Sequence, residues 1–300
     1  MKKIALVFPI LLIFAFIGCE KDYGENIKNW GVNDLAYCSN LDLETSFNKN
    51  TIDSIAIECA EFHGFVLNAL LCDSTIWDKH SDELLNEILC VIKNNFQKLE
   101  LPHSSLFLAD CKIDYIEFSN VIDMDSIGNN EFFIQNFDNQ KYSSFNLQEI
   151  TLLCRTIWPL LEESLITSNS MEEVEEKYKK RIVSLTDTIT DVNTYFCISM
   201  AAAVCFNSFE TWSILFCGEI NEKSAFWDKV KKTAGKIQMY AEADLEGAAY
   251  GAIAGATELA IVGGITGGLP GAAAGAAAGA VGGSFGGAVA SSAKFYADRH

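Results

Sequence analysis

The sequence predicts an all-α protein, an irregular helical bundle body followed by a Gly/Ala-rich helical hairpin. Three observations carry this. Over much of residues 51–222 apolar residues recur at three- and four-residue steps, the spacing of a helix with one buried face. Residues 195–206 are nearly all apolar, too few to span a bilayer but suited to the central helix of a bundle. Glycine then falls at Gly247, Gly251, Gly255, Gly263, Gly267, Gly271, Gly275, Gly279, Gly283 and Gly287, a four-residue period broken only at Leu259. Residues four apart share a helix face, so this period draws a groove without side chains.

Composition bounds the rest. Three hundred residues with 49% apolar content allow one large or two modest domains. The formal charge is −18, and removing residues 1–18 with Lys2 and Lys3 leaves −20. A chain this acidic, without a basic patch, repels phosphates, so no nucleic-acid partner is expected. Ten cysteines include no CxxC pair and fit no zinc spacing, and most are expected to be small core hydrophobes.

The amino terminus is an export signal. Lys2 and Lys3 precede an apolar run from Ile4 to Ile17, and the run ends in Phe16, Ile17, Gly18 and Cys19. That ending resembles the lipobox of bacterial lipoproteins, with Phe16 where Leu is usual. The resemblance implies cleavage before Cys19 and lipid attachment to it, hence a membrane partner through the anchor. The acidic stretch Glu20 to Glu25 is similar to the surface-export signal of some Gram-negative lipoproteins. The expected location is therefore the cell envelope, an outer membrane lipoprotein with surface display. More than one acyl chain gives stable anchoring.

Residues 19–50 are polar and read as a tether. The body, 51–222, is acidic and helical. Its first helix starts near Thr51 with Thr51 or Asp53 as cap, and its second covers 81–96. Residues 104–122 read as helix and 123–144 as loop. A helix follows over 146–166, and Pro159 is expected to kink or divide it after Trp158. Ser170 to Glu173 forms a capping box, with Glu173/Lys177, Glu175/Lys179 and Glu176/Lys180 as i,i+4 pairs. The same helix is expected to run on into 195–206, with a turn after Cys217 and Gly218.

Residues 223–244 form an amphipathic helix, basic on one face and carrying Trp227 on the other. It either lies at a lipid interface or docks on the acidic body. In 245–300, Gly267, Gly268, Leu269 and Pro270 mark a break between two helical pieces, 245–266 and 270–293, each about 30 Å long. Bare grooves let helices approach closely, the packing of small-xxx-small motifs. The tail resembles glycine-zipper segments and the class II bacteriocins, which permeabilise membranes, although no double-glycine leader precedes it.

No catalytic or metal site is expected, and no cofactor. The histidines at 63, 80, 103 and 300 carry no HExxH, there is no GxSxG, and no phosphate loop with GK[ST] occurs. His63 reads as a core histidine. Glu258, inside the first glycine piece, is a functional suspect if that piece enters a membrane. The function expected is that of a lipid-anchored envelope protein whose tail serves close helix packing, self-association or partner binding. The alternative is a membrane-inserting, bacteriocin-like or pore-related protein.

Overall fold

Five helices make up the regular structure of the described residues, which are 48–71, 144–218 and 223–297 of a computed structural model. They are α1 (Lys49–Leu71), α2 (Leu147–Ile166), α3 (Met171–Thr186), α4 (Val192–Cys217) and α5 (Lys223–Ala297). The signal segment with Cys19, nearly all of the tether, the helix expected at 81–96, the 104–122 segment and the loop up to residue 143 lie outside these residues.

Helix α4 is the centre. It packs against each of the other four, and Phe196, Ile198, Met200, Val204, Cys205, Phe209 and Trp212 on several of its sides are fully buried. A helix apolar all round belongs inside. Among the described residues it is the one helix long and apolar enough to cross a membrane, and 78% of that window is buried within the fold. Cys59, Cys154, Cys197, Cys205 and Cys217 are unpaired and buried, as small core hydrophobes should be.

Local chemistry sets the helix ends. Asn48, rather than Thr51 or Asp53, caps α1 by accepting from the Thr51 N–H at 3.0 Å. Asp53 instead takes the Tyr195 hydroxyl at 2.8 Å and so ties α1 to α4. Ser170 accepts from the Glu173 N–H at 3.3 Å, and Lys177–Glu173 and Lys180–Glu176 close at 2.9 and 2.7 Å. Gly218 ends α4 at φ 86°, a left-handed conformation that glycine adopts without strain, and its N–H reaches the Ile214 carbonyl.

Two expectations about continuity need correction. Pro159 does not divide α2, which runs through it. Pro159 and Arg155 both lie on the exposed face, where water can take the carbonyl that the proline leaves without a donor, while Trp158 and Leu161 stay buried. The helix from Ser170 does not continue into 195–206. It stops at Thr186, where Thr186 and Thr188 bond preceding carbonyls, and α4 restarts with Asp191 capping the Thr194 N–H at 2.7 Å.

In α5 the residues on both sides of Pro270 are helical. Yet Gly247 lies against Gly287 and Gly251 against Gly283. A straight helix would hold Gly247 and Gly287 about 60 Å apart. The element therefore doubles back between 252 and 282 into an outgoing and a return arm. The residue pairs across the seam centre on Gly267, the expected reversal point.

The amphipathic start of α5 docks on the body. Phe226, Trp227, Val230 and Ile237 are buried, and Trp227 Nε1 and Lys231 Nζ both donate to the Ser168 carbonyl, at 2.9 and 3.0 Å.

Candidate functional site

The return arm carries two adjacent lines of small residues at helical spacing. Gly283, Gly287 and Ser291 face the outgoing arm: Gly283 meets Gly251, Gly287 meets Gly247, and the Ser291 hydroxyl donates to the Ala243 carbonyl at 2.6 Å. Ser284, Ala288 and Ser292, one residue further on, face α1: Ser284 lies by the Cys59 thiol, and Ala288 and Ser292 lie by His63. A methyl group placed on Gly247 would sit 2.8 Å from the Gly287 carbonyl carbon and 2.8 Å from Ser291 Cβ. Carbon atoms prefer about 3.5–4.0 Å, so no side chain fits there.

Of the glycines singled out from the sequence, Gly247, Gly251, Gly283 and Gly287 thus form the seam, and Gly255 is buried in the outgoing arm. Gly263, Gly267, Gly271, Gly275 and Gly279 are helical, and the described seam contacts reach as far as the pair Gly251 and Gly283. Glu258 lies in the helical part of α5 with its side chain outside the described detail, and Cys19 lies outside the described residues.

Where the two lines end, the structure assembles a polar cluster that sequence reasoning missed. Asp244 of the outgoing arm is fully buried and accepts from three donors on two elements. Ser208 and Trp212, one turn apart on α4, donate to Oδ2, Trp212 at 3.2 Å, and Ser292 of the return arm donates to Oδ1. His63 of α1, also fully buried, places Nε2 at 3.3 Å from Ser292 Oγ and 3.8 Å from Asp244 Oδ2. The Ser292 hydroxyl is donated to Asp244, which leaves its oxygen free to accept from a protonated His63 Nε2; the ring's donor and acceptor roles follow its tautomer. The cluster joins α1, α4 and both arms of α5. The one signal for it in the sequence was that Asp244 shares the buried stripe of Ile237, Ala241 and Ala248.

Burial dominates its electrostatics. It pushes Asp244 up to about 7, against the lowering effect of the Ser208, Ser292 and Trp212 hydrogen bonds. It pulls His63 down to about 4, with the Ala288 backbone partly offsetting it. Next to the cluster Glu246 is pushed up to about 8 by burial and by Glu242, with Arg155 opposing. Cys59 is raised to about 12 by burial, so its thiol is inert as a nucleophile.

Serine, histidine and aspartate within contact suggest acyl transfer, but the roles do not fit. Ser292 gives its proton to Asp244 rather than to the imidazole, and Asp244 and Ser292 crowd the same ring nitrogen. All three are fully buried, which leaves no approach for a substrate. Among the described residues no group of three or more His, Cys, Asp or Glu side chains is arranged to hold a metal. The hydrogen bonds of the cluster link α1, α4 and both arms of α5. No protein-family model, curated protein or solved structure matches this chain.

Proposed function

We propose that this chain is a lipid-anchored cell-envelope protein, held at an outer membrane through Cys19, whose helical bundle serves a binding role rather than a reaction. The observation supporting it is that the glycine seam is occupied by the chain's own return arm. The arms dock on α1 and α4, which supports close helix packing over bilayer insertion as the use of the bare groove. On this reading the anchor supplies the membrane and the body supplies the partner surface. Fractionation tests it: Cys19→Ala should move the full-length protein from the membrane pellet to the soluble fraction.

The second reading is a membrane-inserting, bacteriocin-like protein. One observation favours it: α4 is long and apolar enough to cross a bilayer, beside a hairpin of small residues. If Cys19→Ala still pellets with membranes, and the purified protein releases dye from anionic liposomes, this second reading replaces the first.

A further inference from the structure

Among the described side chains of the return arm, Val289 is the one large apolar group, and it is buried. The described seam is glycine, alanine and serine, and small side chains give small transfer energies. The return arm's hydrogen bonds to the rest of the fold run from Ser291 to the Ala243 carbonyl and from Ser292 to Asp244 and His63. We propose that Asp244 and His63 form a proton-compensated latch: docking of the return arm passes one proton from His63 to Asp244 inside the cluster, so the arm stays held across the pH range in which either residue alone would release it.

The geometry permits the transfer. His63 Nε2 and Asp244 Oδ2 are 3.8 Å apart, with Ser292 Oγ in contact with both residues. An exposed pair is Asp244 carboxylate and His63 imidazolium, carrying one proton, between about 3.8 and 6.5. The docked pair is neutral carboxyl and neutral imidazole, again carrying one proton, between about 4 and 7. When Asp244 is protonated, the Ser292 hydroxyl can turn to donate to His63 Nε2 and accept from the Asp244 carboxyl. A lone buried carboxyl of raised pKa would hold the arm at low pH and lose it as pH rose. A lone buried imidazole of depressed pKa would hold it at high pH and lose it as pH fell. The two dependences oppose one another over nearly the same interval and cancel.

Among the described residues, the other ionisable groups around the cluster are Cys59 on α1, Cys205 on α4, Cys154 and Arg155 on α2, and Glu242 and Glu246 on α5. Burial keeps the three thiols neutral. Glu246 carries its own pH dependence, so the test is made in a Glu246→Gln background.

Amide hydrogen exchange of residues 284–292 in the full chain, corrected for intrinsic rates, reads the docking directly. Between pH 5 and 7 the background protein should change protection less than about threefold. Adding His63→Gln should make protection fall as pH rises, by up to about tenfold per pH unit, and adding Asp244→Asn should make it fall as pH drops, by a similar factor. The double variant should be flat again. Equal signs for the two single variants, or none, would overturn the proposal. Should a single variant not fold, the background protein decides: a flat profile supports the latch, and a tenfold slope in either direction refutes it.

Discussion

Gly247→Ala and Gly235→Ala should change stability in opposite directions, although both add one methyl to the same helix. A Cβ on Gly235 meets nothing within 4 Å, and the residue is exposed. There only backbone propensity acts, and alanine should stabilise by about 0.5–1 kcal/mol. At Gly247 the same gain is available, but the methyl would lie 2.8 Å from the Gly287 carbonyl carbon and 2.8 Å from Ser291 Cβ. Relief requires the arms to part by about 1 Å, since backbone cannot rotate out of the way. Overpacking of this kind costs about 1–3 kcal/mol. Parting the arms also strains the Ser291 hydrogen bond to Ala243, worth about 1 kcal/mol. The net expectation is destabilisation by about 1–3 kcal/mol. Urea unfolding of the full chain, followed by circular dichroism, compares the two midpoints. If Gly247→Ala unfolds at or above the midpoint of Gly235→Ala, the close seam is not a source of stability.

Other outcomes follow from single residues. Burial raises Glu246 to about 8, so its protonated form is favoured in the fold; the stability it confers is present below about 4.5 and is lost as pH climbs to about 8. The loss is on the order of 5 kcal/mol as an upper bound, and Glu246→Gln should remove most of it in melts taken from pH 5 to 8. Gly218→Ala forces a side chain into a left-handed turn at φ 86° and should lower stability by about 1–2 kcal/mol in the same urea assay. Ser170→Ala removes the α3 cap and should cost about 1 kcal/mol, whereas Ser170→Asp should be neutral.

Features that depend on neighbours in sequence were legible before the fold was known. The capping box at Ser170 and the turn at Gly218 needed only a window of a few residues. So did the face drawn by Gly247, Gly251, Gly283 and Gly287, and the reversal near Gly267. Features decided by exposure or by distant contacts were not. Pro159 looked like a breaker, and its harmlessness depends on facing solvent. The gap between α3 and α4 is hidden because Leu185, Ile189 and Val192 keep a helical spacing across it, while threonine hydroxyls and Asp191 decide the backbone. The latch was least legible: His63 and Ser292 are 229 residues apart, and nothing near either one announces the other. A buried histidine is usually a packed core residue, and here it is that and a polar partner as well.

The seam and the cluster depend on one another. Arms that touch backbone to backbone leave no space for water between them, so a buried carboxyl beside the seam depends on donors within the protein. Asp244 is such a group, and of its three donors only Ser292 comes from the return arm. Glycine or alanine at that position would fit but leave Oδ1 without its donor, and a larger donor would not fit a face built for small residues. Serine satisfies both demands. The line Gly283, Gly287, Ser291 and its neighbour Ser284, Ala288, Ser292 therefore read as one pattern, in which glycine sets the distance between the arms and serine fixes their register. A hairpin with glycine alone could slide by one turn and still close. With Ser292 on Asp244 and Ser291 on the Ala243 carbonyl, a one-turn slip would break both hydrogen bonds and leave the buried Asp244 Oδ1 without its donor.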